Sequence, residues 1–164
     1  MQKGGIYNHF PSKEDLAMQA LDYATEQISQ QFAVALKTTS NAADRLMAVI
    51  LVMRDYAAHN PIAGGCPIMN CAMECDDIES PLLDKARQAM DRFRNMFVRI
   101  VAKGIAEGDF KAHIHPDTVA TLFVANFEGA LMLSNLYKDT IHMNRAMDHL
   151  AAYVEKELLV KKRK

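Results

Sequence analysis

Apolar residues recur every three or four positions through almost the whole chain, in blocks separated by its five prolines. That period belongs to helices, because a strand alternates every second residue, and no segment here alternates convincingly. Pro11, Pro61, Pro67, Pro81 and Pro116 each fall between periodic blocks and none falls inside one. Proline lacks the N–H that a helix interior needs, so this placement marks helix starts and linkers. The fold class is all-α.

Capping residues set the boundaries. Ser12-Lys13-Glu14-Asp15 has the form of a capping box, with Asp15 three residues after the cap, and predicts a long helix ending near Thr38. Leu16, Leu21, Ala24, Ile28, Phe32 and Leu36 make its apolar stripe. Asn41, with Asp44 three residues on, caps a second helix that ends near His59. Gly64-Gly65 marks a loop, and a short helix follows from Pro67 to about Cys75. Ser80-Pro81 opens another long helix, with Gly108 at or after its end. Pro116–Tyr137 is apolar nearly all round, so it must be buried on several sides, one of them against a partner subunit. The last helix is predicted from about Asn144 to Leu159, before a basic tail of Lys161, Lys162, Arg163 and Lys164.

Composition bounds the function. At 164 residues and half hydrophobic, the chain is one domain's length with enough apolar mass for a core. A net charge of -1 means that any nucleic-acid contact must come from a local patch. No run approaches ~18 uninterrupted apolar residues, which argues against a transmembrane helix, and the start does not read as a signal peptide. The expected location is cytoplasmic.

The chain holds no phosphate-cradling glycine loop, nucleophile elbow or H-E-x-x-H motif, so it does not read as an enzyme and no cofactor is called for. Cys66, Cys71 and Cys75 cluster, but at spacings of five and four without a C-x-x-C pair. They read as reduced structural thiols in an acidic neighbourhood, and no metal is expected. His113 and His115 read as solvated turn residues. Eleven methionines and no tryptophan suit an adaptable helical core.

The first sixteen residues carry more. Lys3-Gly4-Gly5-Ile6-Tyr7-Asn8-His9-Phe10-Pro11-Ser12-Lys13-Glu14-Asp15-Leu16 resembles the recognition helix and the start of the next helix in tetracycline-repressor-type (TetR) transcriptional regulators. Gly65-Cys66-Pro67-Ile68-Met69-Asn70 and Phe127-Glu128-Gly129-Ala130-Leu131 are similar to segments of the same family's effector domain. The physics of the first motif agrees. Glycines allow close approach to a groove, and Lys and Tyr donors suit phosphate oxygens.

The resemblance implies a remnant of a helix-turn-helix in residues 1–11 and a helical ligand-binding and dimerisation domain in residues 12–164. It implies DNA contacts by Lys3, Gly4, Tyr7, His9 and Lys13. In the family two further helices precede this segment. The nine residues from Met1 to His9 are too few for an autonomous helix, so they are expected to fray and to bind no specific operator alone. The implied function is that of a repressor. It binds operator DNA as a homodimer in the full-length protein and is released by a small hydrophobic or aromatic effector. The alternative is a helical-bundle binding protein without DNA activity. The effector pocket is expected among Met53, Tyr56, Cys66, Met69, Met73, Phe93, Phe97, Phe123 and Phe127. The dimer interface is expected to use Phe127, Gly129, Ala130, Leu131, Leu150 and Val154.

Overall fold

In the computed structural model, residues 10–62, 64–75 and 80–160 are described. They form six α-helices, numbered here in chain order: α1 Lys13–Lys37, α2 Ala42–Tyr56, α3 Pro67–Glu74, α4 Pro81–Ala106, α5 Pro116–Tyr137 and α6 Ile141–Tyr153. A five-residue π-turn, Val154–Leu158, extends α6. Among the described residues there is no strand, only an isolated antiparallel bridge between Phe110 and Leu159.

The caps form as the sequence predicts. Ser12 Oγ accepts the Asp15 N–H at 3.0 Å, and its hydroxyl donates to the Asp15 carboxylate at 2.8 Å. Asn41 Oδ1 accepts the Asp44 N–H at 2.8 Å, and Ser80 Oγ accepts that of Leu83 at 3.2 Å. Pro67, Pro81 and Pro116 each open a helix, where the missing N–H costs nothing.

One boundary differs. α6 begins at Ile141, three residues before the predicted Asn144, because its first amides are satisfied by the preceding turn rather than by a local cap. Asp139 accepts the Ile141 N–H, and Ser134 Oγ, buried on α5, accepts that of Met143 at 3.1 Å. Its last predicted turn winds as the π-turn, with the Leu159 N–H bonded to the Val154 carbonyl.

α5 is the core helix. It packs on α4 along one side and α6 along another, and α2 closes the bundle against α4 and α6. Phe97, Phe110, Phe123, Met53, Met143 and Met147 are fully buried at its centre. Each such side chain contributes roughly 1.5–3 kcal/mol. By length and composition α5 could cross a bilayer, which a search for unbroken apolar runs overlooks. Glu128 and Ser134 interrupt the run, and both are buried inside the bundle.

The end of α4 and the turn after it are stitched to the start of α2 and to the C-terminal end of the bundle. Gly104 lies so close to Ala42 and Phe110 that a Cβ there would sit 2.4 Å from the Phe110 ring. Asp109 accepts the Ala42 N–H that opens α2, and its carbonyl accepts the Val160 N–H at 3.0 Å.

Candidate functional site

A cavity of about 780 Å³ opens between α1 and the rest of the bundle. α1 forms one wall with residues from Asp22 to Leu36, Ile28 and Phe32 among them. α4 forms the opposite wall with Ala89, Phe93 and Met96. Tyr56 at the end of α2, Cys66 and Ile68 at the start of α3, and Phe127 and Glu128 of α5 also line it.

The aromatic residues make a continuous series. Phe32 and Phe93 have ring centroids 5.5 Å apart, Phe93 and Phe127 6.1 Å, and Phe127 and Tyr56 5.6 Å. The last two pairs are edge-to-face, a favourable arrangement for ring quadrupoles.

The loop before α3 is held by polar side chains. Gly64 and Gly65 have φ of +104° and +93°, a region open to glycine at little cost. The Tyr56 hydroxyl donates to the Gly65 carbonyl at 3.2 Å, and Asn60 donates to the same oxygen at 3.1 Å. Asn70 donates to the Gly64 carbonyl at 2.9 Å. These bonds fix Cys66 at the cavity, with Pro67 starting α3 behind it.

The polar end of the cavity is Glu128. It is 6% exposed, and its Oε1 has no hydrogen-bond partner among the described residues. Burial pushes its carboxyl above the usual range, against a smaller opposing pull from the Cys66 thiol beside it. Burial, with Glu128 adjacent, raises the Cys66 thiol far above its ordinary value. Cys66 is therefore held as the thiol and is a poor nucleophile. Burial also raises the Tyr56 hydroxyl, with Cys66 the next cause. Cys71 on α3 and Cys75 just past its end are half-buried, and neither lines the cavity. The outer rim carries Asp22, Glu26, Arg92 and Arg99, and Asp22 is paired with Lys85 of α4 at 2.6 Å.

Four of the nine residues expected in a pocket line this cavity: Tyr56, Cys66, Phe93 and Phe127. Met53, Phe97 and Phe123 do not, because each is wholly buried in the core behind it. Met69 is half-buried on α3, and Met73 is 68% exposed on the outer face of that helix. The sequence reading missed the whole α1 wall. Its Ile28–Phe32–Leu36 stripe has the same spacing whether it faces a core or a cavity. It also missed Glu128, although one acidic residue in the middle of an otherwise apolar helix was a legible signal.

The dimer residues divide as well. Phe127, Ala130, Leu131, Leu150 and Val154 are all buried within the chain, because they face α4, α6 and α2. Gly129 alone of the six looks outward, with nothing within 4 Å of where its Cβ would be. It belongs to an outer stripe of α5 made by Leu122, Ala125, Met132 and Leu136, the last two 53% and 66% exposed. Lys13 is exposed at the first turn of α1. The other expected DNA contacts, Lys3, Gly4, Tyr7 and His9, and the expected fraying of the first residues, lie outside the described residues.

Comparison with known proteins agrees with this architecture. Residues 42–150 match the family model described as the tetracyclin repressor-like C-terminal domain. An uncharacterised HTH-type transcriptional regulator of Mycobacterium tuberculosis is 26% identical over 144 residues, which is 84% of this chain and 69% of that protein. The HTH-type transcriptional repressor DhaR of a Mycobacterium species is 25% identical over 135 residues, 79% of this chain and 64% of DhaR. Among solved structures, a TetR transcriptional regulator from Chloroflexus aurantiacus superimposes with a TM-score of 0.91 at 38% identity, covering 97% of this chain and 80% of that one. A TetR-family regulator from Cytophaga hutchinsonii gives 0.85 at 25% identity, covering 99% and 80%. The match of residues 42–150 to the family model, the helical bundle around α5 and the likeness to the Chloroflexus regulator together make the chain a member of the tetracycline-repressor-like family of transcriptional regulators.

Proposed function

We propose that the chain is the effector-sensing and dimerising part of a repressor. It binds operator DNA as a homodimer in the cytoplasm and lets go when a small hydrophobic molecule fills the cavity under α1. Residues 12–164 are the ligand-binding and dimerisation domain, and residues 1–11 belong to the DNA-binding segment. The reading assigns Lys3, Gly4, Tyr7, His9 and Lys13 to the DNA and gives the chain no enzymatic role.

One observation carries this reading: a single helix serves both ends. α1 walls the cavity from Asp22 to Leu36, and its N-terminus at Lys13 directly follows the recognition-like segment. Nine residue steps of helix, about 14 Å, separate Lys13 from Asp22, the first wall residue. A ligand that shifts this wall therefore tilts the end that holds the DNA-binding segment. Two recognition elements spaced to fit half-sites about one helical turn apart tolerate little tilt. Release needs only that the ligand prefer the tilted arrangement.

The outer stripe of α5 supports the dimer. Leu122, Ala125, Gly129, Met132 and Leu136 follow one another at steps of three and four, so they share one face. An exposed apolar face of this length fits a helix-to-helix contact with a second copy, and Gly129 permits close approach. Sedimentation equilibrium of Leu136→Glu tests it: monomer is expected where the unaltered chain is dimeric, with the far-UV spectrum unchanged. For the DNA step, anisotropy of a labelled duplex from upstream of the coding sequence should show binding by the full-length protein. Binding undiminished by a ligand seated in the cavity would contradict the coupling.

A further inference from the structure

Glu128 poses a chemical question that the hydrophobic cavity does not answer. A carboxyl group taken out of water needs its oxygens satisfied, because a buried acceptor left without a donor forfeits the hydrogen bonds it made to water. Here the carboxyl is 6% exposed, lines the cavity, and leaves Oε1 without a partner among the described residues. The missing partner is a hydrogen-bond donor, because a carboxylate oxygen can only accept.

The walls narrow the donor's class. Phe32, Tyr56, Phe93 and Phe127 all line the same cavity, joined ring to ring at centroid separations of 5.5–6.1 Å. Aromatic rings attract a cation placed over their faces within about 6 Å of the centroid, most strongly where water is excluded. A buried carboxylate beside a group of rings thus favours a positively charged donor over a neutral one of the same size. The cavity's volume, about 780 Å³, leaves room for an apolar body as well.

From this geometry we infer that the effector is a hydrophobic ammonium ion, a protonated amine whose N–H donates to Glu128 Oε1 while its apolar body lies among Phe32, Phe93 and Phe127. This rests on the reading of the cavity as the effector site. It goes further by naming the ligand's charge and the residue that selects it. Burial raises the carboxyl's proton affinity in the empty cavity, and a cation seated beside it works against that shift. Arg92 and Arg99 stand on the rim with Asp22 and Glu26, two charges of each sign, so the rim selects neither sign and the choice falls to Glu128 inside.

Three probes of nearly one shape test the inference by calorimetry on the full chain at pH 7.5: 4-phenylbutylamine, 4-phenylbutan-1-ol and 4-phenylbutyrate. The amine should bind at least about tenfold more tightly than the alcohol, a difference of about 1.4 kcal/mol. Glu128→Gln should bring that ratio near one while leaving the alcohol within about threefold of its original affinity. Phe93→Leu, which keeps the carboxyl, should reduce the amine preference without abolishing it. Thermal melts of both variants show whether they remain folded. An alcohol bound as tightly as the amine, a ratio unchanged in Glu128→Gln, or a preference for the butyrate would overturn the inference and leave the cavity reading standing. If none of the three binds and none displaces a hydrophobic dye from the chain, both the inference and the cavity reading fail.

Discussion

Of its 25 residues α1 buries three, Leu21, Ala24 and Phe32; α5, with 22, buries eight. Both helices are long and apolar on the face turned inward. They differ in what lies against that face. α5 meets α4 and α6 in close contact, and Phe123, Phe127 and Leu131 fill the space between them. α1 packs on α2, and the cavity lies between it and α4. Tyr23 and Val34 of α1 are more than 60% exposed, and one ion pair, Asp22 with Lys85, reaches across to α4. A helix with fewer packed neighbours opens and shifts at lower cost, so the two helices suit different tasks: α5 as scaffold and α1 as moving part.

The largest test of that contrast is truncation of one ring in each region. Phe123→Ala should cost about 3–5 kcal/mol in denaturant unfolding, since it leaves a hole in a closed core. Phe32→Ala should cost less than half as much, because its ring already borders empty space. Equal losses would mean that α1 is packed as firmly as α5.

The second test is the pH dependence of Glu128. Its carboxyl holds its proton more tightly folded than unfolded, so ionising it in the folded chain costs stability. That cost is absent below the ordinary carboxylate range, grows as pH rises through it, and levels off above the raised folded value. Glu128→Gln should therefore melt higher than the unaltered chain at pH 7–8, and the gain should vanish near pH 4. A gain that is constant with pH would remove the ionisation argument.

The smallest expected effect sharpens the comparison. Lys85→Met removes the pair with Asp22, which is partly exposed, and should change global stability by less than about 1 kcal/mol. Hydrogen exchange in α1 should nonetheless quicken, with α5 unaffected.

The elements were legible in the sequence because caps and prolines act locally. Ser12, Asn41, Ser80 and Pro116 each determine a boundary through the adjoining turn alone. Which side of a helix meets what is a tertiary matter, and there the pattern ran out. Leu131 and Leu150 are apolar at the right spacing for an interface, yet both are consumed by the chain's own core. Leu122, Met132 and Leu136, equally apolar, are left outside. The start of α6 is likewise set from outside its own sequence: Ser134, on a different helix, accepts the Met143 N–H.

Hydrogen exchange followed by mass spectrometry, with the cavity empty and then saturated with 4-phenylbutylamine, tests the division between moving helix and scaffold most directly. Amides of α1 between Asp22 and Leu36 should change their exchange on binding, with the change carried on toward Lys13. Those of α5 between Val119 and Leu131 should stay as slow as before. A change confined to α5 and α6, with α1 indifferent to the ligand, would contradict the account.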